Sequence, residues 1–175
     1  YGGDDRLYQN IFLGGTKTYT EQSLNGTAGY DGSPVSLEEY VEEVTALGNG
    51  DVEMFEKVNQ PVFINGNAYL KGAPAFAREE DNYLSEGDPQ VKISVEGDSV
   101  YLEMNVEKDM LSIPTEIIDT EKLGMVRLVE APFDDPDGNP IVLDKDYLGK
   151  TRKAGSPAGP LEELKEGFNR VKVWG

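Results

Sequence analysis

Two carboxylates and a guanidinium stand side by side near the start of the sequence, at Asp4, Asp5 and Arg6, directly after Gly2 and Gly3. Carboxylates accept hydrogen bonds and guanidinium groups donate them, so this triplet can hold several hydroxyl groups of a neutral sugar at once. The two glycines would let the backbone approach such a ligand closely. An internal salt-bridged turn is the alternative for the same three residues. The sequence therefore predicts either a substrate-binding role or an internal brace at this position.

A second acidic stretch, over 134–144, contains oxygen ligands of the kind that bind calcium. An EF-hand loop has a ligand at its first position, glycine at its sixth and a bidentate glutamate at its twelfth. When Gly138 is placed at the sixth position, Phe133 stands at the first, Asp144 stands at the twelfth, and Pro140 interrupts the loop. We therefore predict an Asp–Gly turn between two strands and no metal site.

Hydrolysis of a glycosidic bond requires two carboxyl groups that face each other across the sugar. The chain has 33 acidic residues, and no spacing selects a pair among them. We expect a solvated position for the acidic residues in the middle of the chain, namely Asp109, Glu116, Asp119 and Glu121. The basic cluster formed by Lys150, Arg152 and Lys153 is expected to pair with local carboxylates.

The composition excludes several kinds of chemistry. The chain contains no Cys and no His, so it cannot itself supply a Ser-His-Asp triad, a cysteine nucleophile or a His-ligated zinc site. Acid–base catalysis would have to use carboxylates, Lys or Tyr, and we expect no cofactor. The formal net charge of −17 disfavours nucleic acid and anionic membranes as partners, while neutral sugars remain possible. No apolar run reaches the roughly 18 residues of a membrane-spanning helix, and the cellular compartment stays undetermined.

The segment that begins at Ser36 predicts an amphipathic helix. Ser36 and Glu39 have the spacing of a capping box, in which each side chain bonds the backbone amide of the other residue. Apolar side chains then recur on one helical face, and Gly48 can end the helix in a left-handed conformation. We predict a helix over 37–47, preceded by a polar loop over 16–35.

A short pattern recurs 57 residues apart, in Asn10-Ile11-Phe12-Leu13 and in Asn67-Ala68-Tyr69-Leu70. In a parallel β-helix each coil contributes short strands at the same place, and asparagines at successive turns stack because their amides bond to one another. The spacing exceeds that of an ordinary coil, so we interpret the residues between 16 and 60 as an excursion from one coil. A chance match of two short patterns is the alternative.

Later parts of the chain alternate apolar and polar residues, which is typical of antiparallel strands. Apolar residues at every second position on both sides of Gly97 and Asp98 predict a β-hairpin over 91–106. Further predicted elements are strands over 123–129, 141–143 and 171–174, and a short helical turn over 160–164.

Distinctive motifs lie at both ends of the chain. They are Gly2-Gly3-Asp4-Asp5-Arg6 followed by Asn10-Ile11-Phe12, then Asp146-Tyr147-Leu148-Gly149-Lys150-Thr151-Arg152, Ala158-Gly159-Pro160 and Val171-Lys172-Val173-Trp174. Together they resemble bacterial right-handed parallel β-helix proteins that act on carbohydrates, and most of all the β-xylosidases of glycoside hydrolase family 120 and their relatives. The resemblance covers most of the chain. Gln9 departs from the family pattern, which more often has a second Asn there.

The members of that family are much longer chains, with a β-sandwich inserted into the β-helix near the N-terminus. They hydrolyse glycosides by a retaining mechanism that uses an Asp nucleophile and a Glu acid/base. The layout of the family implies that this pair lies well upstream of the segment from Gly2 to Arg6, and no residue of the present sequence matches it. The catalytic residues are thus expected outside this chain, and Asp4, Asp5 and Arg6 would line or brace the sugar cleft.

These features predict a mainly β chain with the last coils of a right-handed parallel β-helix over 1–90, including the excursion helix, and an antiparallel β cap over 91–175. The sequence does not begin with Met, and we expect it to be a C-terminal segment. An interrupted coil exposes a strand edge, so the expected partners are an oligosaccharide and either the N-terminal part of the same protein or another copy. A non-catalytic carbohydrate-binding or structural module is the alternative function, because Trp174 and nine Tyr residues could stack on sugars.

Overall fold

The computed structural model describes residues 4–15, 26–48, 60–126 and 130–175. These ranges form a mainly β structure with several small sheets and few helices. The strands are β1 (Arg6–Tyr8), β2 (Ile11–Leu13), β3 (Phe63–Asn65), β4 (Asn67–Leu70), β5 (Asn82–Leu84), β6 (Lys92–Glu96), β7 (Ser99–Val106), β8 (Ile118–Asp119), β9 (Met125–Val126), β10 (Ala131–Pro132), β11 (Val142–Leu143) and β12 (Gly167–Trp174). The helices are α1 (Leu37–Leu47) and α2 (Thr120–Leu123), with 3₁₀ turns at Ala28–Tyr30 and Lys108–Ser112.

The first five strands pair in parallel. β1 pairs with β3, and β2 pairs with β4, which in turn pairs with β5. The same offset of 57 residues holds from the pair Arg6 and Phe63 to the pair Leu13 and Leu70. The two related sequence patterns therefore lie directly on top of one another, and the predicted register between them is confirmed.

An asparagine contact joins the two layers. The side-chain oxygen Oδ1 of the fully buried Asn67 accepts hydrogen bonds from the backbone amide of Asn10 at 2.8 Å and from its side-chain nitrogen at 3.1 Å. The residues before them, Gln9 and Gly66, both have left-handed backbone, with φ of 57° and 75°. The same turn is thus built twice, and the asparagine stacking expected from the sequence is present.

The predicted helix over 37–47 is confirmed as α1. The Ser36 hydroxyl accepts a hydrogen bond from the Glu39 amide at 3.1 Å, and Gly48 ends the helix with a φ of 60°. The Glu39 carboxylate accepts from the amide of Val35 and not from that of Ser36 as the capping box predicts. The amide that Glu39 satisfies therefore lies one residue earlier than expected.

The predicted hairpin is also confirmed, as β6 and β7, which pair antiparallel around a turn with Gly97 at a φ of 58°. The closing strand β12 pairs antiparallel with β7 and begins at Gly167, earlier than predicted. Two smaller antiparallel pairs, β8 with β11 and β9 with β10, complete the sheets of the described residues.

Two of the predicted elements differ from the structure, the first only in its extent. The strand expected over 123–129 is preceded by helix α2, because Asp119 caps the amide of Lys122 at 2.8 Å, and strand β9 starts only at Met125. Residues 127–129 lie outside the described residues, as do 54–59 of the strand-like segment before β3. The helical turn expected over 160–164 is a non-helical turn.

The core lies between the parallel strands and the three-stranded antiparallel sheet. Its buried members are Ala68, Leu70, Met104, Val106, Met110, Ile113, Ala158, Leu161 and Leu164. Residues of β4 and β7 therefore share one cluster, so the two kinds of sheet stabilise each other by burial of apolar surface. Within the described ranges, no helix is both long and apolar enough to cross a membrane.

Candidate functional site

Arg6 anchors strand β1 to a segment more than a hundred residues later in the chain. Its Nε donates to the carbonyl of Leu123 at 2.9 Å, and its Nη2 donates to the carbonyl of Met125 at 2.9 Å. Its Nη1 bonds the carboxylate and the carbonyl of Asp4. The guanidinium thus uses its forked geometry to hold three backbone carbonyls and one carboxylate together.

The same guanidinium lies between two aromatic rings. The rings of Phe63 and Phe133 each have their centroid 4.6 Å from the Arg6 Cζ atom. The Arg6 side chain is only 6% exposed and that of Asp4 is 15% exposed. A buried guanidinium between two rings and beside a carboxylate is stabilised by cation–π attraction and by the ion pair. In this geometry Arg6 braces the chain internally, while the substrate-binding role of Asp4, Asp5 and Arg6 stays a prediction.

Asp5 points to a different part of the chain. Its Oδ2 accepts a hydrogen bond from the Tyr30 hydroxyl at 2.9 Å, and its carbonyl accepts from the Phe63 amide at 2.9 Å. Burial, and next the hydrogen bond to Asp5, raise the pKa of Tyr30 above its ordinary value. Asp5 therefore holds the loop before α1 against the stacked strands.

An open groove of about 640 Å³ lies beside this brace. It is lined by Val35, Ser36, Leu37, Pro61, Phe63, Met125 and Glu130. Phe63 and Met125 also contact Arg6, one through its ring and the other through its carbonyl. Arg6 consequently fixes the relative position of two walls of the groove, although it does not line the groove itself. An apolar groove with a few polar groups at its rim is the usual form of a small-ligand site.

A buried polar cluster forms around strand β4. The Glu79 carboxylate accepts from the Asn67 amide at 2.9 Å, from the Asn67 side chain at 2.8 Å and from the Tyr69 hydroxyl at 2.5 Å. Since Tyr69 donates to Glu79, the Thr27 hydroxyl is the donor in its 2.6 Å contact with Tyr69. Burial, and next the bond to Glu79, raise the pKa of Tyr69. Because its polar groups are hydrogen-bonded to one another, this cluster holds the stacked strands in register.

The remaining acidic candidates are dispersed. Glu116 pairs with Lys122 at 2.8 Å, and Asp119 caps helix α2. Asp135 accepts from the amides of Asp137 and Asn139, which confirms the predicted Asp–Gly turn. In the part of the chain that the structure describes, no group of three acidic side chains is placed to hold a metal ion.

The basic cluster has two kinds of partner. Lys150 pairs with the Glu163 carboxylate, as expected. Arg152 instead donates to the carbonyls of Gly159 at 2.7 Å and Pro157 at 2.5 Å, and it contacts the Gln9 side chain at 3.4 Å. Arg152 thus ties the C-terminal loop to the turn between β1 and β2.

Sequence reasoning did not identify the groove or Glu79. The residues that line the groove come from four separate segments and are mostly apolar, so they carry no local motif. Glu79 stands among charged neighbours, from Arg78 to Asp81, and looks like part of a solvated run. Glu79 is distinguished in the sequence only by its position between two predicted strands, and that position is too weak an indication to identify a buried residue.

No family model matches this chain, and no curated protein matches it. A solved structure, the complex structure of XylC with xylose, is similar to it, with a TM-score of 0.84 and 43% sequence identity. That similarity covers 98% of the present chain and 26% of the XylC chain. The chain therefore spans about a quarter of the length of the structure that it matches.

Proposed function

We propose that this chain is the C-terminal part of a glycoside hydrolase that acts on xylose-containing plant-type oligosaccharides, similar to the family 120 β-xylosidases. The observation that carries the proposal is the similarity to XylC, a protein whose structure contains xylose, at 43% identity over 98% of this chain. Because the chain spans 26% of that protein, the activity and the substrate belong to a longer molecule.

We also propose that the stacked strands are the last coils of a right-handed parallel β-helix, with residues 1–90 as coils and 91–175 as an antiparallel cap. The constant offset between β1–β2 and β3–β4 supports coils, since successive coils of a β-helix repeat each strand and turn in register. The stacked aromatic rings of Phe12 and Tyr69, with centroids 5.1 Å apart, support the same repetition.

In this proposal the groove beside Arg6 belongs to the sugar cleft. Phe63, which is partly exposed there, offers an apolar face to a sugar ring, while Ser36 and Glu130 offer polar groups to its hydroxyls. Asp4, Asp5 and Arg6 act on the substrate site by holding its walls. Their role is therefore to brace the cleft, with the first contact to sugar made by residues of the groove.

The nucleophile and the acid/base are proposed to lie outside this chain. A retaining glycosidase places two carboxyl groups about 5 Å apart. Among the described residues that line the groove, Glu130 is the one carboxylate. A single carboxylate cannot perform both roles, so we expect the isolated 175-residue chain to be inactive.

The activity test compares two proteins with a control enzyme. The purified chain is assayed with an aryl-xyloside, and a chimera is assayed in which this chain replaces the matching quarter of XylC, with intact XylC as the control. We expect no turnover by the chain alone and turnover by the chimera. Hydrolysis by the isolated chain, or a folded chimera without the activity of XylC, would contradict the proposal.

A binding experiment separates the enzyme from the alternative of a carbohydrate-binding module. Xylobiose is titrated into the isolated chain and into the variants Phe63→Ala and Phe168→Ala, and binding is followed by NMR. Phe168 is an exposed phenylalanine on β12 and serves as the control. Saturable binding that Phe63→Ala alone abolishes would favour the module, whereas the absence of binding would favour the enzyme segment.

A further inference from the structure

Strand β6 forms one edge of the three-stranded antiparallel sheet, whose order is β12, β7, β6. Two apolar side chains of this strand point to solvent: Ile93 is 59% exposed and Val95 is 71% exposed. They continue the apolar face whose other end, at Met104 and Val106, packs in the core. An edge strand with exposed apolar side chains is a template for pairing with another strand.

The ladder geometry shows which backbone groups of β6 are available. Glu96 and Ser99 flank a two-residue turn and form a hydrogen-bonded pair, so Lys92, Ser94 and Glu96 direct their amide and carbonyl groups at β7. The intervening residues Ile93 and Val95 direct theirs away from the sheet. Their outward N–H and C=O groups can bond a second strand without any change in β6.

We propose that this edge pairs with the same edge of a second copy of the chain, antiparallel and about a two-fold axis at Ser94. In this register Ile93 lies opposite Val95 of the second copy, and each such pair can exchange two backbone hydrogen bonds. The two exposed apolar side chains then cover one another. The result is a continuous six-stranded sheet with an isologous interface.

Charge complementarity selects the second copy as the occupant. In the same register Lys92 lies opposite Glu96 of the second copy on the other face of the sheet, and the symmetry creates this pair twice. Among the residues that the structure describes, Lys92 forms a long ion pair with Glu103, at 3.8 Å. Glu96 contacts Arg170 at 2.5 Å and remains exposed, so it can accept a second cation.

A lysine on an edge strand normally discourages pairing. Here the strand carries one cation, Lys92, and one anion, Glu96, at positions that the two-fold axis at Ser94 places opposite each other. In this register the two charges of each pair cancel, whereas other registers leave Lys92 and Glu96 without an opposite charge across the interface. The net charge of −17 on each copy opposes association at low ionic strength. The edge is short, so we expect a weak dimer that is favoured when moderate salt screens this repulsion.

A charge-exchange experiment tests the proposal, which does not depend on the proposed function. Sedimentation equilibrium measures the association at about 0.15 M salt, where the screening length is about 8 Å. The samples are the wild type, K92E, E96K, the double variant K92E/E96K and an equal mixture of the two single variants. The variant K165E, at an exposed lysine outside the strands, controls for the change of net charge. Circular dichroism checks that each variant is folded.

Each single variant places like charges opposite each other, because K92E is acidic at both positions and E96K is basic at both. We expect dimer for the wild type, the double variant and K165E, and at least a tenfold weaker association for each single variant. The mixture should restore dimers that contain one copy of each. A monomeric wild type, an association that neither single variant weakens, or a mixture that stays monomeric would overturn the proposal.

Discussion

Arg6 connects parts of the chain that local sequence does not relate. Its guanidinium holds the carbonyls of Leu123 and Met125, pairs with Asp4 and packs between two phenylalanine rings. A residue with this set of contacts stabilises the fold and shapes the neighbouring groove at the same time. Stability and ligand binding are therefore expected to change together when it is replaced.

Replacement of Arg6 by alanine should lower the free energy of unfolding by about 3 kcal/mol, because it removes the guanidinium from a largely buried Asp4 carboxylate and from three backbone carbonyls. The matched control is Arg170→Ala, which removes two ion pairs and a contact 3.6 Å from the Tyr101 ring at the surface. That loss should be clearly smaller than the loss for Arg6→Ala, because solvent-exposed ion pairs contribute little to stability. Urea unfolding of both variants provides the measurement, and equal losses would contradict a special role for Arg6.

Asp146 closes the loop that precedes the C-terminal strand. Its carboxylate accepts from the amides of Leu148 and Lys150 at 2.8 Å and from that of Glu162 at 2.9 Å. Burial alone would raise the pKa of Asp146, but these amide hydrogen bonds outweigh it and lower the pKa below its ordinary value. The ionised form is thus the form that the fold prefers.

A carboxyl group with a lowered pKa in the folded state makes the free energy of unfolding decrease in acid. The contribution of Asp146 is complete above the unfolded-state pKa of about 4 and is lost as the pH falls through the lower folded-state pKa. Asp146→Asn should therefore destabilise the protein by about 1 kcal/mol at pH 7, with a smaller difference from wild type in strong acid. Asp135→Asn, in a similar but exposed loop, is the control and should have a smaller effect. Thermal unfolding over a pH series tests this, and a pH-independent difference would be evidence against it.

At the scale of elements, the stacked strands depend on close contact between backbones. Gly14 follows β2 and donates its amide to the carbonyl of Leu70 at 2.8 Å. A Cβ atom added to Gly14 would lie 2.0 Å from the carbonyl oxygen of Lys71. Backbone on both sides leaves no flexible side chain that could move away. Glycine is required here for space and not for a left-handed φ.

Gly14→Ala should therefore separate the two layers and destabilise the protein by about 2 kcal/mol or more. Gly29→Ala is a matched control, since nothing lies within 4 Å of an added Cβ atom there. Differential scanning calorimetry of the two variants gives the comparison. Similar melting temperatures for both variants would show that the layers tolerate separation at this point.

The elements with local chemistry were the ones that the sequence predicted well. The cap at Ser36 and the glycine at position 48 define α1, and the Gly97 turn with alternating residues defines the hairpin. The segment after Asp119 was predicted less well. A strand-like apolar pattern continued through it, but the Asp119 cap starts a helical turn because it satisfies the Lys122 amide locally.

At the scale of the whole molecule, the parallel and antiparallel parts share a single hydrophobic cluster. Neither part can bury its apolar face without the other, so we expect them to unfold together. The acidic surface keeps copies apart at long range, whereas the edge of β6 has complementary charges at short range. The proposed dimer depends on the balance of these two effects and thus on ionic strength.

Short-range sequence patterns specify the local features of this fold and one long-range feature. Caps, turns and alternation predict α1 and the hairpin because their causes lie within a few residues. The asparagine pattern predicts the register of the stacked strands because the same short motif occurs twice, and the two copies pair with each other in the fold. The brace around Arg6, the burial of Glu79 and the groove exist only once the chain has folded. The contacting residues come from segments far apart in the chain, so no local pattern reveals them. A buried, fully hydrogen-bonded charged residue such as Glu79 also cannot be told from a solvent-exposed one by its neighbours in the sequence.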